Sequence, residues 1–166
     1  NYEAISNLFK SSKIKLENPY DMLEWTWIHM AINAAVISVI GENGDINDSI
    51  TSVHKLMNSL KLLATTIKTI RETTKIAASR GINMKYYRNE LWVYKLPAQL
   101  SAIFMKRMFA RNQLTRRIME LHGDTADLLY ICNSVYQTGT TAHVSAPLFY
   151  SYMDEIIKKS DKISGE

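Results

Sequence analysis

The chain has 166 residues, of which 46% are hydrophobic and 22% are charged, and this composition excludes disordered, collagen-like and fibrous proteins. Its single cysteine, Cys132, excludes an internal disulfide framework and a multi-cysteine zinc site, and it suits a reducing compartment, so a cytoplasmic protein is expected. The net charge of +4 is too small to indicate a nucleic-acid-binding or membrane protein by itself.

Apolar residues recur mostly at spacings of three and four, and only six glycines and three prolines interrupt the chain. The sequence therefore predicts an all-α fold with long central helices, as a single domain over residues 1–166. The first long helix is predicted over residues 19–40, with Asn18 as its cap and Gly41 at its end. The most apolar stretch, Met30–Ile40, is far shorter than the ~20 residues needed to cross a bilayer, so no membrane span is predicted.

A turn over Gly41–Asp48 is predicted to join the two longest helices. Its acidic and amide side chains suit a calcium loop, but the glycine and the terminal glutamate of an EF-hand are missing at the required offsets. A capped turn is therefore the better interpretation. The second long helix is predicted to run from Leu56 to an end on Arg80 and Gly81. Five threonines in it lower its helix propensity, so tertiary packing must stabilise it.

Five further helices, joined by short loops, are predicted from capping and first-turn residues. They span Tyr86–Leu96, Pro97–Arg111, Gln113–His122, Asp124–Thr138 and Ser145–Lys159. The tail from Lys158 to Glu166 is predicted to fray.

Several common active-site motifs are missing from the sequence. The only close glycine pair, Gly41 and Gly44, follows a helix instead of preceding one, which excludes a Rossmann-type dinucleotide site. Neither an HExxH zinc motif nor a nucleophile elbow is present, and no metal site is predicted. His29 and Asn33 are the most suggestive polar pair, since residues four apart share a helix face. They either line one pocket or bond to neighbouring backbone in the core.

A basic run interleaved with apolar side chains lies between residues 104 and 117. It comprises Lys106, Arg107, Arg111, Arg116 and Arg117, beside Phe104, Met105, Met108 and Phe109. Such a run could follow phosphates, but the mild net charge favours a solvated helix face whose aromatic residues pack inward. Nucleic-acid binding is therefore the minor hypothesis. The aromatic segment from Tyr86 to Tyr94 is likewise expected in the core or an interface.

The order of these features resembles the C-terminal helical domain of the ketopantoate reductase family, over about residues 14–158. Trp27–Asn33 resembles the family's Trp-x-Lys-x-x-x-Asn helix, and Arg71–Gly81 resembles its Arg-Glu helix ending. Val144–Pro147 resembles the family's entry to its last helix. The resemblance implies a fold like the C-terminal domain of 6-phosphogluconate dehydrogenase, which forms one wall of an active-site cleft and often carries the homodimer contact.

The resemblance also implies a Rossmann domain before Asn1. That domain would bind NADPH, and no cofactor is expected for this chain alone. Because the chain begins without methionine and without a leader, a processed chain or an excised C-terminal domain is expected.

The site residues implied by the resemblance depart from the family at two positions. His29 stands where the family has its catalytic lysine, and Arg116 or Arg117 stands where it has a glutamate. Asn33 matches a substrate-binding asparagine, and Ser101 stands at the family's serine. A histidine can donate a proton near neutral pH, and an arginine can clamp a carboxylate. His29 is thus the implied proton donor, and the other four are the implied substrate ligands.

The leading hypothesis is an NADPH-dependent oxidoreductase domain acting on a 2-oxo acid or a related carbonyl compound with a small carboxylate. The alternative is a catalytically inactive helical module for dimerisation or binding, which the loss of the family's lysine and glutamate would permit. A homodimer is expected because Trp25, Trp27, Met30 and the aromatic segment offer more large apolar side chains than one small helical domain can cover.

Overall fold

The computed structural model describes residues 2–13, 16, 18–44, 48–121 and 125–164. Every regular element in these ranges is an α-helix, and nine are present. They are α1 (Tyr2–Ser11), α2 (Met22–Asn43), α3 (Ser49–Asn58), α4 (Leu60–Ser79), α5 (Arg88–Lys95), α6 (Ala98–Arg111), α7 (Gln113–Leu121), α8 (Thr125–Thr141) and α9 (Pro147–Ser164). The predicted all-α class is confirmed, whereas the likeness to one particular dehydrogenase domain stays a prediction.

Helices α2 and α4 form the centre of the fold, because they pack along each other and both also contact α3, α8 and α9. Three clusters of buried apolar side chains surround them. The first joins α2, α3, α4 and α6 around Ile67. The second joins the two central helices to α8 and α9 around Phe149. The third packs Tyr87 and Leu91 against α2. The long central helices predicted from the sequence are therefore the core.

The first long helix begins later and ends later than predicted. Asp21, not Asn18, is its N-cap, and the Asp21 Oδ1 accepts a hydrogen bond from the backbone N–H of Glu24 at 2.9 Å. At the other end, the helix continues through Gly41 to Asn43. Gly41 lies inside the helix at a point where α9 packs closely. A Cβ at this position would come within 2.7 Å of Ile156 on α9, which explains why the residue is glycine. This glycine serves close helix packing and does not end the helix.

The second long helix is divided in two. Ser59 ends α3 and caps α4, its Oγ accepting a hydrogen bond from the backbone N–H of Leu62 at 3.2 Å. The predicted end is confirmed, since Arg80 is the C-cap and Gly81 has a φ of 87°, a conformation that favours glycine. Of the predicted turn at Gly41–Asp48, residues 45–47 lie outside the described residues, and Asp48 caps α3.

The later helices agree with prediction to within a few residues, but α8 and α9 extend further. Helix α8 runs on to Thr141, and α9 runs to Ser164, where a frayed tail was expected. His122 and Asp124, at predicted helix ends, lie outside the described residues. Helix α1 was not predicted, and no other helix in the described part of the chain packs against it.

Helix α2 is long and apolar enough to cross a membrane by length and composition, with a mean hydropathy of 1.3 over its most apolar window. The prediction of no membrane span rested on the shorter stretch Met30–Ile40, whereas the whole helix has 22 residues. In this fold α2 is flanked by α3, α4, α8 and α9, and central helices of globular folds pass the same test.

Candidate functional site

The predicted proton donor, His29, lies half-buried on α2 and is occupied by its own helix. Its Nδ1 is 2.8 Å from the backbone oxygen of Trp25, which accepts the hydrogen bond when Nδ1 carries the proton. Its ring also stacks on the Trp25 indole, with ring centroids 3.7 Å apart. Asn33 is half-buried one turn later. The His29 contact matches the interpretation in which this histidine bonds to neighbouring backbone.

The other tryptophan of this helix is also used within the fold. Trp27 packs against the second and third apolar clusters, and the guanidinium carbon of Arg80 lies 3.8 Å from the centre of a Trp27 ring. Met30 packs against the second cluster. These side chains were expected to drive self-association, but they are half-buried in the structure and so offer less surface for it.

Ser101, a predicted substrate ligand, is fully buried on α6. Its Oγ donates a hydrogen bond to the backbone oxygen of Val93 at 2.5 Å, and the oxygens of Leu96 and Pro97 lie at 3.3 and 3.4 Å. The hydroxyl therefore satisfies backbone carbonyls where α5 turns into α6. Ser101 thus makes its described contacts with backbone, and its role as a substrate ligand stays a prediction.

The Arg-Glu pair that carried part of the family resemblance also has local partners. Arg71 Nε donates to the backbone oxygen of Tyr94 at 2.6 Å, and its Nη2 donates to the oxygen of Leu96. Glu72 Oε2 accepts from the backbone N–H of Phe149 at 2.9 Å, in the first turn of α9. Both side chains thus connect α4 to distant backbone, which makes them supports of the fold.

Helix α6 carries two apolar stripes on opposite sides. The inward stripe consists of Ala98, Ala102, Met105 and Phe109, all of which are buried. The outward stripe consists of Leu100, Ile103, Phe104 and Met108, which are between 39% and 49% exposed. Trp92 on α5 extends the outward stripe, since its ring meets Phe104 edge-on with centroids 6.4 Å apart. The prediction that the aromatics of this run pack inward holds for Phe109 and is wrong for Phe104.

A groove lies between the outward stripe of α6 and the start of α4. It encloses about 310 Å³ and is lined by Leu60, Ile103, Lys106, Arg107 and Ala110. The groove and the outward stripe together are called the α6 outer face below. An apolar strip with cationic edges of this kind is a surface that a second amphipathic element can cover.

A second cavity lies in the elbow between α6 and α7. It encloses about 440 Å³ and is lined by Ala110, Arg111, Gln113, Arg116, Arg117 and Glu120. Asn112 fixes the elbow: its N–H donates to the Met108 oxygen at 2.8 Å, and its Oδ1 accepts from the Thr115 N–H at 3.1 Å. Glu120 is held by His54 on α3, with Nε2 and Oε1 2.9 Å apart. This cavity is called the arginine cavity below.

His29 and Asn33, which the resemblance implies act on one substrate with Arg116 or Arg117, do not line the arginine cavity. Helix α7, which carries both arginines, packs on α3 and α6 and does not contact α2 in the described residues. Arg116 is half-buried and Arg117 is exposed, and both line the arginine cavity. The structure therefore places the anion-compatible residues apart from the histidine that was to act beside them.

The charge of the chain is concentrated on α6 and α7. Residues 98–121 contain five basic residues and one acidic residue, a net charge of +4, which equals the net charge of all 166 residues. The α6 outer face and the arginine cavity lie side by side on this segment, since both include Ala110. An overall charge that looks mild is therefore a localised cationic surface.

Sequence reasoning missed Leu60 and His54 because they join the site from α4 and α3. It also missed Glu120, which lies on α7 beside the predicted arginines. The outward stripe had a readable signal, since positions 100, 103, 104, 107 and 108 share one face of a helix. The same pattern is present on the opposite side of α6, so periodicity alone leaves open which stripe is buried. No family model, no curated protein and no solved structure matches this chain.

Proposed function

We propose that this protein is a helical binding module, and that it holds an acidic amphipathic helix of a partner protein against the α6 outer face. The observation that supports the proposal is the second apolar stripe of α6, which stays exposed after folding. Large apolar side chains gathered on one side of a helix cost free energy while they face water. A contiguous exposed patch of this kind is typical of an interface with a partner. This develops the binding-module interpretation of the sequence.

The charge pattern identifies the chemistry of the partner. Helix α6 has three basic residues, Lys106, Arg107 and Arg111, and no acidic one. A partner helix with apolar residues along one side and Asp or Glu beside them would fill the groove and pair with these cations. A second copy of α6 would instead bring cation against cation, which opposes self-association through this face. A homodimer through another surface stays a prediction.

The reductase interpretation is a separate proposal, in which a preceding domain supplies NADPH and His29 protonates a carbonyl substrate. Its implied ligands, however, are distributed over α2, the buried first turn of α6, and α7. Helices α2 and α7 do not contact each other in the described part of the chain. The binding module needs no such convergence, and for that reason it is the function the geometry supports best.

The test is a binding titration with two designed peptides that share leucines at helical spacing. One peptide carries glutamates beside the leucines, and the matched peptide carries lysines at the same positions. Fluorescence anisotropy should show binding of the glutamate peptide and weaker binding of the lysine peptide by at least about tenfold. Equal affinity for both peptides, or binding of neither, would contradict the proposal.

Two variants with the same starting exposure locate the surface. Ile103 on α6 and Ile157 on α9 are each 39% exposed. Ile103→Glu should lower the affinity for the glutamate peptide by at least about tenfold, because it places a charge of the same sign as the peptide in the groove. Ile157→Glu should leave binding unchanged. Circular dichroism establishes that both variants fold. If the chain instead self-associates in sedimentation and Ile103→Glu abolishes that, the occupant is a second copy and the partner assignment is wrong.

A further inference from the structure

The arginine cavity concentrates positive charge that the binding of an apolar helix face in the groove does not require. Three arginines, Arg111, Arg116 and Arg117, line one concave space together with Gln113. Within the described side chains none of the three arginines forms an ion pair. Like charges held together repel one another, so the cavity favours an anion that neutralises them.

Among the described residues that line the cavity, the one carboxylate, Glu120, forms no ion pair with the arginines. Glu120 Oε1 lies 2.9 Å from His54 Nε2 on α3. This contact holds the Glu120 side chain toward α3, and the arginines remain on the α6 side of the elbow and along α7. The described residues that line the cavity carry three positive charges and one negative charge.

The backbone presents the arginines in a fixed arrangement. Gln113, Arg116, Arg117 and Glu120 lie on one side of α7 because their spacing follows the helical repeat. Asn112 closes α6 and caps α7 through its own backbone and side chain. The short, capped elbow therefore brings Arg111 of α6 and the two arginines of α7 to one cavity. A backbone that already gathers the cations lowers the entropy cost of binding an anion between them.

We infer that the arginine cavity is a binding site for a phosphomonoester group, presented by a phosphorylated serine or threonine of the same partner helix. Guanidinium groups bind phosphate oxygens in paired hydrogen bonds, and a phosphate dianion matches several positive charges better than a single carboxylate does. The cavity and the groove meet at Ala110, so one helix can place apolar side chains in the groove and a phosphate in the cavity. This assignment of the source rests on the proposed function.

The first experiment tests the cavity alone with inorganic phosphate. Arginine side-chain NMR signals are followed during titration with phosphate and, at equal ionic strength, with chloride. Saturable shifts of Arg111, Arg116 and Arg117 with phosphate only are expected, and R116Q/R117Q should abolish the shift of the remaining Arg111. Exposed Lys75 and Arg88 lie on α4 and α5, so K75Q/R88Q is a control of equal charge and should retain the shifts. Equal shifts with both salts would overturn the site.

The second experiment tests the source with the glutamate peptide, made with and without one phosphoserine after the apolar segment. Phosphorylation should tighten binding by about tenfold or more in the parent protein and by little in R116Q/R117Q. Equal binding of the two peptides would overturn this inference and leave the proposed function standing. Phosphate binding without binding of either peptide would leave the cavity standing, and it would refute both the proposed function and the peptide source.

Discussion

The centre of the fold and its α6–α7 side use polar residues in opposite ways. In the centre, polar side chains bond within the chain: the Thr66 hydroxyl donates to the Leu62 oxygen at 2.9 Å, and the buried Thr69 hydroxyl donates to the Thr65 oxygen at 3.1 Å. On the other side, Arg116 and Arg117 face a cavity without an ion pair to any described side chain. Residues whose polar groups bond within the chain support folding. A group of cations without an ion pair, beside exposed apolar residues, indicates a surface that binds a partner.

The residues of the family resemblance that lie in the centre of the fold have structural roles. Its motif residues in the centre have structural partners: Arg71 bonds the backbone between α5 and α6, and Glu72 bonds the first turn of α9. Each of these contacts explains the residue type without catalysis. The segment with unexplained features is the one where the sequence lacks the family's glutamate, at Arg116 or Arg117.

The largest effect is expected in the centre. Ile67 on α4 is fully buried in the cluster that joins four helices. Ile67→Ala should lower the free energy of unfolding by about 2–5 kcal/mol, because it removes apolar contacts and leaves a cavity. Urea denaturation followed by circular dichroism measures the change. A loss smaller than that of Leu100→Ala would show that the centre does not hold the fold together.

A second substitution separates a structural from a substrate-binding role for Ser101. Ser101→Ala should lower the free energy of unfolding by about 1–3 kcal/mol, because the Val93 oxygen loses its buried partner. Ser134 provides the control, since its Oγ donates to the Tyr130 oxygen from a less buried position on α8. Ser134→Ala should have a smaller effect. Equal stability of Ser101→Ala and the parent protein would favour the substrate-ligand hypothesis.

Lowering the pH should destabilise the exposed start of α3, the helix that carries His54. The Thr51 backbone N–H, and then its hydroxyl, lower the pKa of Asp48 below its ordinary value of 3.8. A lowered folded-state pKa means that the cap stabilises the protein above the unfolded value and that this contribution is lost as pH falls through the folded value.

Asp48→Asn keeps a capping side chain that does not titrate. Urea midpoints measured between about pH 6 and about pH 2.5 should therefore fall more for the parent protein than for this variant. Parallel pH profiles would show that the Asp48 carboxylate makes no contribution to stability. The effect is expected to be smaller than that of removing the Ser101 hydroxyl, because Asp48 is exposed.

The smallest effect on stability is expected on the α6 outer face, and it sharpens the contrast within one helix. Leu100 is 49% exposed, while Met105 is buried. Leu100→Ala should change the free energy of unfolding by less than about 1 kcal/mol. Met105→Ala on the opposite stripe should cost about 2–5 kcal/mol. Similar losses for the two variants would mean that the outward stripe supports the fold and is not reserved for a partner.

Local rules predicted several parts of the structure because they depend on neighbouring residues. Gly81 ends α4 since its φ of 87° suits glycine, and Pro97 precedes α6 since proline cannot continue the preceding helix. The same rules misplaced the start of α2. Asn18 and Asp21 are both capping residues, and the hydroxyl of Tyr87, which donates to the Asp21 oxygen at 3.2 Å, holds this point from a distant segment.

The sequence by itself therefore determined the all-helical class, most helix boundaries and the presence of a basic, apolar segment between residues 98 and 121. Only the tertiary structure decided that Met105 and Phe109 are buried while Phe104 is exposed, and that Ser101 lies in the core away from His29. The physical reason is that periodicity describes one helix at a time. Which side of a helix is buried depends on helices far away in the sequence, and α6 offers an apolar stripe on both sides.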